Sequence, residues 1–427
     1  MALKHISPSQ VELGMFIHSF QGNWLAHPFW RAKFLLNDDE RLQAVRDSAL
    51  NAVVIDTDRG RDVADVQAPV AERALGHRTV ARPAPAPPAF MRAAAGNPFA
   101  AAQRSPSAGT FKEFGNARRA AGAGRKVISK LFIEARLGKA PRVAEVTPVV
   151  EEIHASIERN PHAFSGLMRC KMDMAPIYQH MLSVSALMIS LARQMGLPPH
   201  ESRIAGMAGL LLDVGVAKLD IDPADFANGL DRIDQDEWHK HCYVGRDMLA
   251  SADDVPEEVL QIVTRHHELM DGTGFPQGLE ARQIDNLSRM AAICDTFDLL
   301  VSGASSGQFI DPAEAMRMMM GMESSFDMEI LGRFREALGV WPVGSFVILR
   351  SGRVAMVVDQ DRSDSGLPTV HAFHSAITGK PAKPRTIELA SCFGTDAIHG
   401  AADPEELGLG SPQELRAKIF ASLERTS

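Results

Sequence analysis

The stretch ARPAPAPPAFMRAAAGNPFAAAQRSPSAGT, from Ala81 to Thr110, limits what this chain can fold into more than any other. Ala, Pro, Gly and Ser dominate it, and that composition buries too little apolar surface to offset the entropy of ordering it. It reads as a linker, placed at residues 66–110, so the 427-residue chain divides into separately packed parts. Before it, FLLNDDERLQAVRDSALNAVVIDTDRG reads as a strand, a helix opening at Asn37 or Asp38, and the β-branched strand Val53-Val54-Ile55 closed by Asp and Gly. That is a small α+β module over residues 1–65. After the linker, helical periodicity runs over residues 111–339, opened by Val143-Ala-Glu-Val-Thr-Pro-Val-Val and punctuated by Pro198, Pro223, Pro256 and Pro276. From Val340 the pattern alternates around a Ser351-Gly352 turn, so residues 340–427 read as a β-rich extension with a final helix near Ser411 to Leu423. The expected fold class is multidomain and mainly α: a helical core, a small α+β module before it and a small β-rich appendage after it.

A hydrophobic fraction of 45% is ample for a sizeable core. Lys and Arg total 45 against 53 Asp and Glu, and no run of five basic residues occurs, which argues against DNA or an anionic membrane as partner. The opening MALKHISPSQVELG has no apolar signal core, and the richest apolar stretch, Met181 to Leu197, is broken by Arg193. A cytoplasmic chain without a membrane span is expected. Cys170, Cys242, Cys294 and Cys392 lie far apart, without the paired spacing of zinc or redox motifs, and read as reduced, mostly buried thiols.

The chemistry lies in polar residues that continue apolar stripes. Val259, Ile262 and Val263 define a helical face whose next positions are His266 and His267. Val184, Leu187, Met188 and Leu191 form another, and four residues back from Val184 stands His180. A helix opening at Asp234, with Glu237 completing a capping box, places Trp238, His241, Cys242, Gly245 and Leu249 inward and turns His239 and Lys240 to solvent. Asp213 follows Gly209-Leu-Leu-Leu, and Asp295 sits within Ala291-Ala-Ile-Cys-Asp-Thr-Phe. Any one of these is explained by a hydrogen-bonded core histidine or a capping aspartate. Together, four imidazoles and two carboxylates in one bundle cost several kcal/mol per unpaired charge unless a divalent metal compensates them. Just after the paired histidines, Asp271-Gly-Thr-Gly-Phe-Pro-Gln-Gly carries three glycines, more than a helix C-cap requires, and reads as a substrate-side or partner-facing loop built on Asp271, Gly272, Gly274, Phe275 and Pro276.

Leu210-Leu-Leu-Asp-Val-Gly, His266-His-Glu-Leu-Met-Asp-Gly-Thr-Gly-Phe-Pro and Arg289-Met-Ala-Ala-Ile-Cys-Asp-Thr-Phe-Asp resemble the HD-GYP family of bacterial signalling proteins. The resemblance extends from Leu13-Gly-Met-Phe-Ile, in the small domain that often precedes such a core, to Gly339-Val-Trp-Pro-Val-Gly-Ser-Phe-Val. It implies an HD-type cyclic di-GMP phosphodiesterase fold with a two- or three-metal centre, often iron or manganese, and one or two divalent ions are expected in this chain. Carried over by position, Asp213 is the bridging, catalytic carboxylate, His241, His266 and His267 complete one metal site, and His180 and Asp295 serve the other. The chain departs from the pattern at specific places: Leu212 stands where the motif has its histidine, Val216 where it has its lysine, with Lys218 two residues displaced. Pro176 and Val301-Ser-Gly-Ala-Ser-Ser also differ, and Phe275 replaces a tyrosine. Tyr178, His239 and Asp298 are candidates to replace the missing ligand. The expectation is a phosphodiesterase-like protein whose activity is weak or lost; the alternative is an inactive module that binds the nucleotide, or a partner such as a diguanylate cyclase domain. Trp24, His27, Phe29 and Trp30 read as core or interface aromatics, and Met318 to Met322 as helical packing.

Overall fold

The computed structural model describes residues 3–22, 34–36, 39–46, 50–61, 110–139, 142–170, 172–221, 226, 229–252, 254–361, 364–392 and 396–424. It has two compact units, residues 1–104 and 105–427. Trp24, His27, Phe29, Trp30 and most of the linker lie outside the described residues.

In the first unit, β1 (Leu3–Ile6), β2 (Phe16–Gly22), β3 (Phe34–Leu35) and β4 (Leu50–Asp56) form an antiparallel sheet in the order β1-β4-β2-β3, with α1 (Asp39–Arg46) between β3 and β4 in sequence. Val53 and Ile55 alternate with Val54 along β4 and pack with Ile6, Val11, Met15, Ile17, Leu36 and Val45 into one small core. The strand–helix–strand order expected from residues 34–60 is the observed one.

The second unit begins with α2 (Thr110–Arg136), continues through α3 (Thr147–Arg159), α4 (Ala163–Met168), α5 (Pro176–Gln194) and α6 (Pro199–Leu211), and then makes a 3-10 turn at Val214–Lys218. After it come α7 (Gln235–Trp238), α8 (Lys240–Ala250), α9 (Glu257–Arg265), α10 (Asn286–Ser302), α11 (Pro312–Met320) and α12 (Met328–Leu338). Aspartates open four of these helices. Asp234, Asp285, Asp311 and Asp327 each accept a backbone N–H of the first turn, satisfying donors that have no partner within the helix. Strands β5 (Phe346–Leu349), β6 (Arg353–Asp359), β7 (Thr369–Ser375), β8 (Lys380–Glu388) and β9 (Ile398–Ala401) follow as an antiparallel sheet in the order β8-β7-β6-β5-β9, and α13 (Pro412–Glu424) ends the chain. The β5–β6 turn is at Ser351-Gly352 as expected, with Gly352 at φ +73°.

α5 is the centre of the helical core: every residue from His180 to Ala192 is buried, which its almost continuous apolar sequence requires. It packs most extensively on α6, and α10 lies against it as well. The α5–α6 approach depends on small residues. A Cβ on Gly209 would stand 2.8 Å from the Ser185 backbone, and the Ser185 hydroxyl donates to the Gly206 carbonyl at 2.7 Å. Outside this core, α2 is tied to α13 by Phe114 against Phe420, with ring centroids 4.6 Å apart, and to α3 by a bidentate Arg159–Glu113 pair at 2.9 and 2.6 Å.

One expected helix is two. The segment opened by Asp234 stops at Trp238, and a new helix begins at Lys240. Asp234 does accept from the Glu237 amide, but the Glu237 carboxylate pairs with Lys240 instead of returning to the cap. Replacing Gly209 with alanine places a methyl against the α5 backbone, and we expect a loss of about 1–3 kcal/mol, read as a lower urea midpoint at unchanged m-value.

Candidate metal centre

Asp213 stands at the junction of α6 and the 3-10 turn, on a backbone that carries it against α8. The close approach is made by Gly215, where a Cβ would lie 2.1 Å from the His241 carbonyl oxygen and 2.6 Å from the Gly245 nitrogen. Asp213 is thereby held beside His241, the buried histidine of the His239/His241 pair. His266 caps the C-terminus of α9, His267 follows it, and α5 and α10 supply His180 and Asp295. All six polar residues singled out in the sequence come together in one interior cluster.

Its geometry is specific. Asp213 Oδ2 lies 3.3 Å from His180 Nε2, and Asp213 Oδ1 lies 3.4 Å from His241 Nε2 and 3.8 Å from His266 Nε2. Asp295 Oδ1 is 2.9 Å from His180 Nε2, and Asp295 Oδ2 is 3.4 Å from His267 Nδ1. His241 Nδ1 donates to the Trp238 carbonyl at 2.6 Å, and His266 Nδ1 donates to the Val263 carbonyl at 2.8 Å. A carbonyl only accepts, so each ring proton is committed outward and each Nε2 presents a lone pair inward. Those two Nε2 atoms are 3.2 Å apart. Two lone pairs at that distance repel, and Asp213 Oδ1, Asp295 Oδ2 and His267 Nε2 are buried with no hydrogen-bond partner among the described residues. Cations held between these groups would satisfy the orphaned atoms, so the donor set fits divalent metal.

The electrostatics agree. Burial works against the Asp213 carboxylate, but the His266 contact and the positive charge of His180 outweigh it and bring its pKa down to about 2. Burial would also lower the His180 pKa, yet Asp295 and Asp298 hold it well above the ordinary histidine value. Burial lowers His241 to about 4, keeping it a neutral ligand, and pushes His267 down as well.

Several supporting residues were not legible as such. Asp298, one turn after Asp295 on α10, accepts from His180 Nδ1 at 2.8 Å and from the Ser183 hydroxyl. Its oxygens are engaged behind His180, so it orients that imidazole and does not replace the missing ligand. His239 does not turn to solvent as expected: it is half-buried and stacks on Phe275, with centroids 3.8 Å apart. Tyr178 packs edge-on against Phe132 at 5.1 Å. Cys242, read from sequence as a plain buried thiol, has Sγ 3.5 Å from His241 Nε2 and belongs to a compact group with His241, His266 and His267. Among the described residues Cys170, Cys242 and Cys294 are free and buried, and Cys392 is half-buried.

The glycine-rich loop closes over this group. Phe275 stacks on His267 at 4.4 Å, and its amide donates to the His267 carbonyl. Gly274 has no room for a Cβ, which would meet the His267 oxygen and the Leu269 nitrogen at 2.4 Å. The buried Glu268 carboxylate accepts the Gln277 and Leu279 amides at 2.7 and 2.8 Å. Asp271 is exposed and anchors the loop, accepting from Thr273 and Ser325. Gly272 adopts φ +74°, and the Phe275–Pro276 peptide is cis.

A family model described as an HD domain matches residues 156–330, and one described as a domain of unknown function, DUF3391, matches residues 3–146, from the first sheet through α2. The cyclic di-GMP phosphodiesterase PA4108 of Pseudomonas aeruginosa is 35% identical over 402 residues, which cover 93% of this chain and 92% of the relative. This chain belongs to the HD-GYP family. Among other relatives, the cyclic di-GMP phosphodiesterase response regulator RpfG of Xanthomonas campestris pv. campestris is 34% identical over 116 residues, 26% of this chain and 30% of its own length. A solved HD-GYP-type structure, Bd1817 from Bdellovibrio bacteriovorus, covers 79% of this chain and 99% of its own at 18% identity and a TM-score of 0.45. HD-domain phosphohydrolases are metal-dependent, and the buried histidine group here is a candidate metal site. No helix among the described residues is long and apolar enough to cross a membrane.

If Asp298 orients His180, Asp298→Asn weakens binding of an ion at the His180 and Asp295 position by roughly 10–100-fold while leaving the far-ultraviolet circular dichroism unchanged. Competition with a chromophoric chelator measures this, and an unaltered affinity would remove Asp298 from the centre.

Proposed function

We propose that this HD-GYP protein holds a divalent metal through Asp213, His241, His266 and His267 and hydrolyses cyclic di-GMP slowly, with a weakened second metal position at His180 and Asp295. The observation that carries the reading is the division of the Asp213 carboxylate: Oδ2 faces His180 while Oδ1 faces His241 and His266. That is the disposition of a carboxylate shared between two cation positions. A bound metal would activate a water and neutralise charge on the phosphodiester. The chain's own residues do the rest. The Trp238 and Val263 carbonyls hold the rings of His241 and His266 with Nε2 facing inward, Asp298 sets the ring of His180, and Phe275 screens one side of His267. Imidazole and carboxylate donors suit iron or manganese, the metals the family resemblance implies.

Slow turnover follows from two positions. Leu212 is buried immediately beside Asp213 and offers no lone pair, so the second position has only His180, Asp295 and the shared Asp213. Val216 is buried and uncharged, and Lys218 is exposed, lining a surface groove with Ala135, Arg136 and Asp220. The joint loss of a metal ligand and a cationic phosphate contact implies a slowing of ~10³-fold or more. The same two residues favour a second reading, a non-catalytic module that binds the nucleotide or a diguanylate cyclase domain through the Phe275 loop. The free, buried Cys170, Cys242 and Cys294 and the broken apolar segments support a cytoplasmic setting for either.

Metal content of chelator-free protein, measured with cyclic di-GMP hydrolysis in the same sample, tests the proposal. We expect about one ion per chain and a low turnover that Asp213→Ala abolishes. Leu212→His should raise the content toward two ions and the rate by roughly 100-fold. No bound metal, or turnover indifferent to Asp213→Ala, refutes it; metal without turnover leaves the binding-module reading.

A further inference from the structure

Cys242 is the one residue in the centre that neither the family resemblance nor the expected ligand set uses. It is fully buried on α8, next in sequence to His241. Its sulfur and one nitrogen each of His241, His266 and His267 all lie within 4.8 Å of one another. The distances can be compared with those of a tetrahedral ion. Metal–nitrogen bonds of ~2.05 Å and a metal–sulfur bond of ~2.3 Å at tetrahedral angles put nitrogen pairs ~3.3 Å apart and sulfur–nitrogen pairs ~3.6 Å apart. The His241–His266 nitrogens are 3.2 Å apart, and Cys242 Sγ is 3.5 Å from His241 Nε2. Both match. The second, independent sign of a ligand is the set of orphaned buried atoms at the same place, Asp213 Oδ1 and His267 Nε2.

We infer that Cys242 is a metal ligand, and that its sulfur joins Asp213, His241, His266 and His267 around the ion and makes the site selective for zinc over manganese or iron. The inference rests on the proposed function in taking this centre as a metal site. On binding, the Cys242 S–H bond breaks, its proton leaves to solvent, and the sulfur lone pair forms the bond to the ion. A thiolate donor favours the softer cation. Asp213 Oδ1, 3.4 Å from His241 Nε2, stays within reach of the same ion. A fifth protein donor leaves less room for water, which also accounts for slow hydrolysis.

The test uses full-length protein freed of metal and reloaded with cobalt(II) alone. We expect the wild type to show a thiolate-to-cobalt charge-transfer band in the near ultraviolet. Cys242→Ser should bind cobalt without that band, and Cys170→Ser should keep it. Zinc affinity should fall by roughly 10–1,000-fold in Cys242→Ser while manganese affinity stays within a few-fold. If Cys242→Ser does not fold, X-ray absorption of the zinc-loaded wild type decides, since one sulfur at ~2.3 Å in the zinc shell is required. Bound cobalt or zinc with only nitrogen and oxygen neighbours overturns the role of Cys242 and leaves the metal centre standing. Failure to bind either ion overturns both.

Discussion

The centre of this protein is organised around a contact that is unfavourable as it stands: two imidazole nitrogens facing each other at 3.2 Å beside a buried carboxylate. Neither ring can turn its proton inward without giving up a hydrogen bond to the Trp238 or Val263 carbonyl. The helices therefore fix a cluster of lone pairs whose repulsion only a cation relieves. Much of the surrounding packing serves to keep that cluster from relaxing. Gly215 lets the 3-10 turn press against α8, Gly209 lets α6 press against α5, and Asp298 and Ser183 hold His180 from behind.

How much of this was legible depends on what kind of signal each residue leaves. His180, His241, His266, His267, Asp213 and Asp295 were legible because each interrupts an apolar pattern, and such interruptions are costly unless compensated. The β-branched run of β4 and the Ser351-Gly352 turn were legible for similarly local reasons. The break at His239 was not. The residues from Gln235 to Leu249 favour a continuous helix, and the interruption coincides with the stacking of His239 on Phe275, 36 positions along the chain. A side chain placed by a distant ring leaves no periodic trace.

Cys242 was illegible for another reason. A lone cysteine on an apolar helical face is indistinguishable from a core residue until the other helices are assembled around it. Only the convergence of α8 with the end of α9 sets its sulfur among three imidazoles. Asp298 lies between these cases. Its spacing of three from Asp295 puts both carboxylates on one side of α10, but sequence spacing alone does not say that one faces the centre and the other braces an imidazole from outside.

Three consecutive residues, His266, His267 and Glu268, join the centre to the loop. The first donates to a carbonyl and faces Asp213, the second stacks under Phe275, and the third holds the amides of Gln277 and Leu279. The loop and the centre therefore share a foundation in these residues, beside the anchor that Asp271 makes on Ser325. Whatever grips Phe275 from outside also touches an imidazole of the centre.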